Sequence, residues 1–402
     1  MLNLSPEILK HKDELISIRR HLHQFPELSF EEKATMDFVV ERLKSYTINP
    51  QYPIANTGVS CLLEGNQKGP TIMLRADMDA LPIDEENKTL EFRSKNPGVM
   101  HACGHDGHVA MLLITAKILK SRLAHLRGNI KFVFQPAEEK FGGAKLMIQE
   151  GVLKNPDVSS CFGLHLSNTM PAGTIGIKSG PFMAATDEFK ITVTGSGGHG
   201  AYPHFTVDPI VTISQMVTAF QTIIPRNLDP LEHGIISVCS MHAGEAFNVI
   251  PKEAYMGGTI RTFSEQNRQL LLQRLQQLGD NICRGMGAEF KFEHFPGYPA
   301  CVNSRAAALF AKKVARKIFN SGVLDSEASM GGEDMAYYLN EVPGCFIFLG
   351  SKNEAKGIIN PHHSSNFDFD EDILPAGVEF FVTLVEKYLS EQPDFTSDSG
   401  DI

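Results

Sequence analysis

No run in the 402-residue sequence is apolar for the ~20 consecutive residues that a membrane-spanning helix requires. Nor is there an excess of basic residues: 37 Lys and Arg stand against 47 Asp and Glu, a net charge of −10 with a pI near 5.8. Nucleic acid and anionic membranes both need a basic face, so neither is expected as a partner. The start, Met-Leu-Asn-Leu-Ser-Pro-Glu, has no basic patch followed by an apolar segment, so no secretory leader is expected. The seven cysteines, at 61, 103, 161, 239, 283, 301 and 345, are odd in number and scattered. That is the pattern of a reduced, cytoplasmic chain rather than of a disulfide framework. Cys61, Cys161, Cys239 and Cys345 lie in apolar runs and are expected in the core. Low-complexity blocks and internal repeats are absent, and the length suffices for two domains. The polar tail from Ser390 onward is expected to be disordered.

What is present is a dense group of metal-ligating residue types. Met100-His101-Ala102-Cys103-Gly104-His105-Asp106-Gly107-His108 places one thiol and three imidazoles in nine residues. Thiolate and neutral imidazole bind borderline divalent metals well, and Gly104 and Gly107 let the backbone turn so that they converge. Glu138-Glu139, His165 and His362-His363 follow, and the set reads as a dinuclear metal hydrolase site. In an adjacent carboxylate pair, one member can ligate while its neighbour takes a proton from water acidified by two divalent ions. The alternative for such a pair is a solvated charge pair at a helix start, but this one follows a strand and Pro136 and precedes Gly142-Gly143. His108 begins an apolar helix and reads as a cap or supporting group, with direct ligation left open. His11, His21, His23 and His125 are expected at the surface.

Apolar runs at 58–63, 71–76, 130–134 and 161–164, with a helix over 108–119 between the second and third, predict an α/β sheet covered by helices on both faces. Three of these runs end on ionisable residues: Asp77 and Asp79, Glu138 and Glu139, and His165. Ligands in open α/β sheets bind beyond the carboxyl ends of the strands, so one sheet edge collects all three. Ser5 and Pro6 open a first helix with Ile8, Leu15, Ile18 and Leu22 on one face, and a second spans 30–45. From about 182 the pattern changes. Phe189, Ile191 and Val193 alternate with Lys190, Thr192 and Thr194. A helix over 208–224, strands over 234–242 and 254–263, a helix over 265–286 and a strand over 289–295 complete a β-α-β-β-α-β order, that of a ferredoxin-like sandwich. The expected organisation is therefore a discontinuous catalytic domain, 1–181 and 296–402, with an inserted domain at 182–295. Helix 304–320, strand 345–349 and helix 371–390 return to the first sheet.

These motifs resemble the M20 metallopeptidase family in its amidohydrolase branch. The likeness runs in order through Arg19 to Leu28, Leu74 to Pro82, the Met100 to His108 segment, Phe134 to Glu139, Gly163-Leu164-His165, Gly197 to Ala201, Asn248 to Pro251, Gly258 to Phe263 and Gly332-Glu333-Asp334. The resemblance implies metal ligands Cys103, His105, Glu139, His165 and a C-terminal histidine, with Glu138 as general base. Counting back from Phe367 selects His363; His362 stays open as a substitute, because Ser365 stands where the family usually has proline. It further implies two divalent ions (Mn, Zn, Co or Ni) and a lid domain that carries a dimer contact, and hence a homodimer. Asp79 is assigned to orienting a ligand histidine. In the lid, His199 could stabilise the carbonyl oxygen, in the family even across a dimer interface; the alternative is a structural loop histidine. Arg261 could fork onto the substrate carboxylate, and Asn248 could bind the same end or merely hold its turn. The implied activity is hydrolysis of an N-acyl amino acid to a carboxylic acid and a free amino acid. N-acetyl-diaminopimelate deacetylase and dipeptidase are the alternatives within the family. A non-catalytic metal-binding scaffold is a more distant one, for which Glu138 would have no use.

Overall fold

The apolar run 71–76 is the inner part of a strand, Gln67–Asp77, at the centre of an eight-stranded sheet. The computed structural model describes residues 2–140 and 142–396. Two compact units emerge: one takes the chain up to Gly180, Val302–Glu327 and the stretch from Asp334 on, and the other takes Pro181–Cys301 and Ala328–Glu333.

In the first unit the strands lie in the order Pro50–Ile54, Gly58–Glu64, Arg127–Gln135, Gln67–Asp77, Ser160–Pro171, Gly344–Lys352, Ile175–Ile177, Val323–Asp325. The middle four are mutually parallel, and antiparallel neighbours flank them on either side. Residues 71–77 are all buried, as expected of parallel strands covered on both faces. Helices His105–Arg122 and Leu374–Glu391 pack on Gln67–Asp77, whereas Gly143–Gln149 and Met335–Glu341 pack on one another and on Arg127–Gln135 and Ser160–Pro171. The helix His105–Arg122 is apolar nearly all round, the pattern of a helix enclosed by the core. Its entry depends on Gly104, whose φ of 92° lies in the left-handed region. It also depends on Gly107, where a Cβ would stand 2.7 Å from both Leu166 and Phe369.

Several expectations change on folding. The first helix is two, Pro6–Leu9 and Lys12–Gln24, so Ile8 and Leu15 come from different helices. The run 161–164 extends to Ser160–Pro171, so His165 is not at a strand end. Pairing with Gly344–Lys352 continues through it, with Phe348 opposite His165 and Leu349 opposite Leu166. The C-terminal helix carries Ser390 and Glu391, and Phe395 is buried with its ring 5.6 Å from Phe310, so 390–396 is not a disordered tail; residues 397–402 lie outside the described ones. Among the described residues no helix is long and apolar enough to cross a membrane.

The second unit has a four-stranded antiparallel sheet in the order Gly234–Ala243, Glu253–Thr262, Ala185–Thr194, Glu289–Pro296. Helices Pro209–Phe220 and Glu265–Met286 pack on it, giving the β-α-β-β-α-β order along the chain. Phe189, Ile191 and Val193 face Ile213, Met216, Leu271 and Leu275 in one core. Cys239 departs from expectation. It is exposed, because the register between Gly234–Ala243 and its neighbour slips between Val238 and Ser240 and leaves Cys239 in the bulge.

A buried ionic group ties the N-terminal helix to the first unit. Arg19 is fully buried and donates from Nε to Asp106 (2.9 Å), from Nη2 to Asp368 (2.8 Å) and from Nη1 to Glu371 (3.0 Å). Its guanidinium lies over Phe92 and Phe369, at 4.4 and 4.3 Å from the ring centroids. His23, expected at the surface, is completely buried, with Nδ1 2.8 Å from Asp106. The inward face of this helix is wider than its apolar stripe because ions fill the remainder. Burial works against the Asp106 carboxylate, but Arg19 and His23 hold its pKa below the usual carboxylate range. Arg19→Met is expected to remove the buried cation from Asp106, Asp368 and Glu371 and to destabilise the fold by about 3–5 kcal/mol. The measurement is the shift in urea midpoint at unchanged m-value.

Candidate metal centre

Four segments of the first unit deliver the ligand-type side chains. Gly104 turns the chain so that Cys103 and His105 flank the start of the helix His105–Arg122. The turn after strand Arg127–Gln135 carries Glu138 and Glu139, strand Ser160–Pro171 carries His165, and His363 lies in a C-terminal loop with φ 63°. Cys103 Sγ is 3.4 Å from His165 Nε2, and His363 Nε2 is 3.3 Å from Glu139 Oε1. His105 Nε2 is 3.9 Å from the same Glu139 oxygen. Ligand atoms of Cys103, His105 and His165 all lie within 4.8 Å of one another, as do those of Cys103, Glu139 and His363, and those of His105, Glu138 and Glu139. The overlapping triads are linked pairwise by Cys103, His105 and Glu139, which suits two neighbouring ions better than one.

Ring nitrogens already bonded elsewhere decide which histidines face this centre. His105 donates from Nδ1 to the Asp79 carbonyl (2.9 Å) and His165 from Nδ1 to the Leu166 carbonyl (2.6 Å), which leaves Nε2 of each pointing inward. His108 has no such nitrogen to spare. Its Nδ1 is 2.6 Å from Asp77 Oδ1, and its Nε2 accepts the Leu166 N–H at 2.9 Å. It is a supporting residue of the scaffold. His362 Nε2 accepts the Asn168 N–H at 3.1 Å, and among the described residues no ligand cluster includes it. His363 is the one that stands beside Cys103 and Glu139.

Asp79 does more than orient a histidine. Its Oδ1 accepts the Glu138 N–H and its Oδ2 the Glu139 N–H, both at 3.0 Å, and Ser29 donates its hydroxyl at 2.7 Å. Arg75 supports the neighbouring Asp77 from below, donating to Asp77 (2.6 Å), Gln135 (2.8 Å) and Asp334 (2.8 Å). The sequence offered Arg75 and Asp334 only as members of motifs, and Ser29 lies one residue beyond the motif that ends at Leu28. The signal for Arg75 was its place two residues before Asp77 in an otherwise apolar strand, where a charge must find a buried partner.

The electrostatics call for a cation. Burial opposes charge on His105, yet Asp77, Asp79 and Glu139 raise its pKa to about 10. Burial, Glu139, Glu138 and Asp77 push the Cys103 thiol well above its usual range. Burial, His108 and His362 push His165 well below its own, so it is a neutral imidazole. His105 Nε2 and Glu139 Oε1 are buried without a hydrogen-bond partner. A soft thiol, the neutral imidazole of His165, an unpartnered His105 Nε2 that a metal could take in place of a proton, and an unsatisfied carboxylate oxygen fit divalent metal ions.

The three residues singled out in the second unit are placed as follows. His199 lies in a two-stranded ladder, Gly198–His199 with Val249–Ile250, opposite Val249, and the Gly200 N–H donates to the Asn248 carbonyl at 2.8 Å. His199 and Asn248 are thus brought together, and both are exposed. His199 Nδ1 accepts the Ala201 N–H at 3.1 Å, which directs Nε2 outward. Arg261 belongs to the main sheet, between Ile235 and Thr186. It donates to Thr259 and to the Ile260 carbonyl, and no described hydrogen bond joins it to the other two.

Comparison with known proteins agrees with this geometry. Residues 73–387 match the model of peptidase family M20/M25/M40. The chain is 42% identical to thermostable carboxypeptidase 1 of Saccharolobus solfataricus, across 96% of this chain and 98% of that one. It is 39% identical to N-acetylcysteine deacetylase of Bacillus subtilis, across 92% and 95% respectively. The crystal structure of the Bacillus subtilis YXEP protein, described as a dinuclear metal binding peptidase from the M20 family, matches with a TM-score of 0.83 at 36% identity, covering 95% of this chain and 99% of that one. The chain therefore belongs to peptidase family M20/M25/M40. It is a metal-dependent hydrolase of amide bonds.

Two substitutions test the centre. Asp79→Asn leaves one acceptor for two backbone donors, and metal affinity is expected to fall about 10–100-fold, read by titration of the chelated protein. Cys103→Ser exchanges a soft ligand for a poor one. It is expected to lower bound metal, measured by mass spectrometry, with the far-UV circular dichroism unchanged.

Proposed function

We propose that the chain hydrolyses N-acyl amino acids to a carboxylic acid and a free amino acid. The observation that carries this reading is the unequal company of the paired carboxylates. Glu139 shares a cluster with Cys103 and His363, whereas Glu138 does not. Both carboxylates also share a cluster with His105; as the family resemblance implies, Glu139 is taken with Cys103, His105, His165 and His363 as a metal ligand, and Glu138 for proton transfer. Two divalent ions, Mn, Zn, Co or Ni, would supply an acidified water and a polarised carbonyl when bound. Glu138 takes the proton of the attacking water and returns it to the leaving nitrogen, while its burial keeps that proton from solvent. His199, with Nε2 free, donates to the carbonyl oxygen as negative charge develops there. Arg261 and Asn248 hold the α-carboxylate of the amino acid. The second unit serves as the lid and carries the contact of a homodimer, whose partner could be the one to receive His199. Seven free cysteines support a cytoplasmic location.

The likeness to a protein named a carboxypeptidase supports a second reading, cleavage of a C-terminal residue from a peptide. The same carboxylate fork serves both. N-acetyl-diaminopimelate deacetylase and dipeptidase activities remain alternatives of the same kind. A panel of N-acetyl and N-aroyl amino acids, dipeptides and longer peptides, each as free acid and as α-amide, separates them. N-acyl amino acids with a free carboxylate are expected to be turned over fastest; preference for longer peptides, or indifference to the carboxylate, overturns the reading. In the same assay Glu138→Ala is expected to lose about 10²–10⁴-fold in kcat with metal content unchanged. Metal loss in step with activity would instead assign ligation to Glu138.

A further inference from the structure

The turn that carries Glu138 and Glu139 has no strand to bond with, since the strand Arg127–Gln135 has ended before it. Three successive backbone N–H groups still need acceptors, and each finds a buried carboxylate oxygen. Ala137 donates to Glu32 Oε1 at 2.8 Å, Glu138 to Asp79 Oδ1 and Glu139 to Asp79 Oδ2, both at 3.0 Å. Ala137 has φ 55°, a left-handed conformation that alanine seldom adopts, and it is completely buried. Something must hold it there. Asp79 grips the turn after Ala137 and the Gly143 N–H holds the Ala137 carbonyl at 3.0 Å, but the N–H of Ala137 is held by Glu32.

Glu32 is built for that task and for no other visible one. It occupies the N-cap position of the helix Lys33–Ser45, where a carboxylate would normally bond the first-turn N–H groups, yet its side chain makes no cap. Glu27 does the capping, accepting Ala34 N–H at 3.1 Å and Thr35 N–H at 2.8 Å. Glu32 is thereby free to turn inward. It is fully buried, and its second oxygen accepts the Thr57 hydroxyl at 2.5 Å, which fixes the carboxylate plane. We propose that Glu32 is a positioning residue: by holding the Ala137 N–H it sets the orientation of the following peptide, and so decides that Glu138 rather than Glu139 is presented for proton transfer. This rests on the assignment of Glu138 as base.

The test uses the full-length protein, with and without manganese, as wild type, Glu32→Ala, Glu32→Gln and Glu138→Ala. Amide hydrogen exchange is followed across the chain, and kcat and KM are measured on the best N-acyl amino acid of the panel. In Glu32→Ala, exchange is expected to rise about tenfold in the peptide covering 135–140 and not elsewhere, and kcat to fall at least about tenfold with KM within about twofold, as for a misplaced catalytic group. Glu32→Gln keeps an oxygen for the Ala137 N–H and is expected to restore both. The proposal is overturned by unchanged exchange or unchanged kcat in Glu32→Ala, by equal loss in the Ala and Gln variants, or by faster exchange throughout the chain, which would make Glu32 a residue of general stability. An active Glu138→Ala protein sinks the assignment of the base, whereas the local exchange still reports on the Ala137 clamp.

Discussion

The end of the strand Gln67–Asp77 is where this molecule concentrates buried negative charge, and the rest is arranged to make that burial tolerable. Asp77 and Asp79 lie two residues apart, almost without solvent, and an unpaired carboxylate there would give up its charge rather than remain ionised. Burial does press on both, but His105, Arg75 and His108 keep Asp77 well below the usual carboxylate range, and His105, Ser29 and the Glu139 N–H do the same for Asp79. The two acids pass their charge outward through different contacts: Asp77 polarises His108, and Asp79 holds the backbone of the Glu138–Glu139 turn. Asp79 therefore acts on the turn that faces the ligand cluster, and Asp77 on the histidine that supports it.

Adjacent residues of the same type meet opposite fates around this point. His105 and His108 are one helical turn apart, and His362 and His363 are neighbours, yet one of each pair faces the ligand cluster while the other has a ring nitrogen held by a backbone amide. The difference lies in a single backbone amide: Leu166 N–H occupies His108, and Asn168 N–H occupies His362. Both amides belong to the strand Ser160–Pro171, which also carries His165. One strand thus contributes a ligand-type side chain and withdraws two others.

The chemistry of the centre was legible because it is local. Cys103 and His105 share one glycine turn, and Glu138 and Glu139 are adjacent; no fold is needed to see them as a set. The alternation from Phe189 to Thr194 and the order of elements around it likewise carried the architecture of the second unit. What could not be read depends on pairing between distant segments. Nothing in Cys161-Phe162-Gly163-Leu164 tells that Gly344–Lys352 will extend the strand beyond His165. His23 looks like a surface residue until Asp106, 83 positions away, meets it. Cys239 looks like core until the ladder slips beside it. Glu32 reads as one of two acids at a helix start, and only the course of the chain near Ala137 gives it a partner.

The order of the ligands along the chain has a consequence for synthesis. Cys103, His105, Glu139 and His165 all precede the second unit, whereas His363 follows it. Between His165 and His363 lie roughly 200 residues, about 10–40 s of translation at typical rates. Throughout that interval a nascent chain carries a thiol, two imidazoles and a carboxylate of the ligand set with no C-terminal loop to close over them. The central sheet is equally unfinished, since Gly344–Lys352 must still slot in beside Ser160–Pro171. Long-range parallel pairing of this kind is slow and late. The last histidine and the last parallel strand arrive together, so completion of the sheet and closure of the ligand set are one event in the life of each new chain.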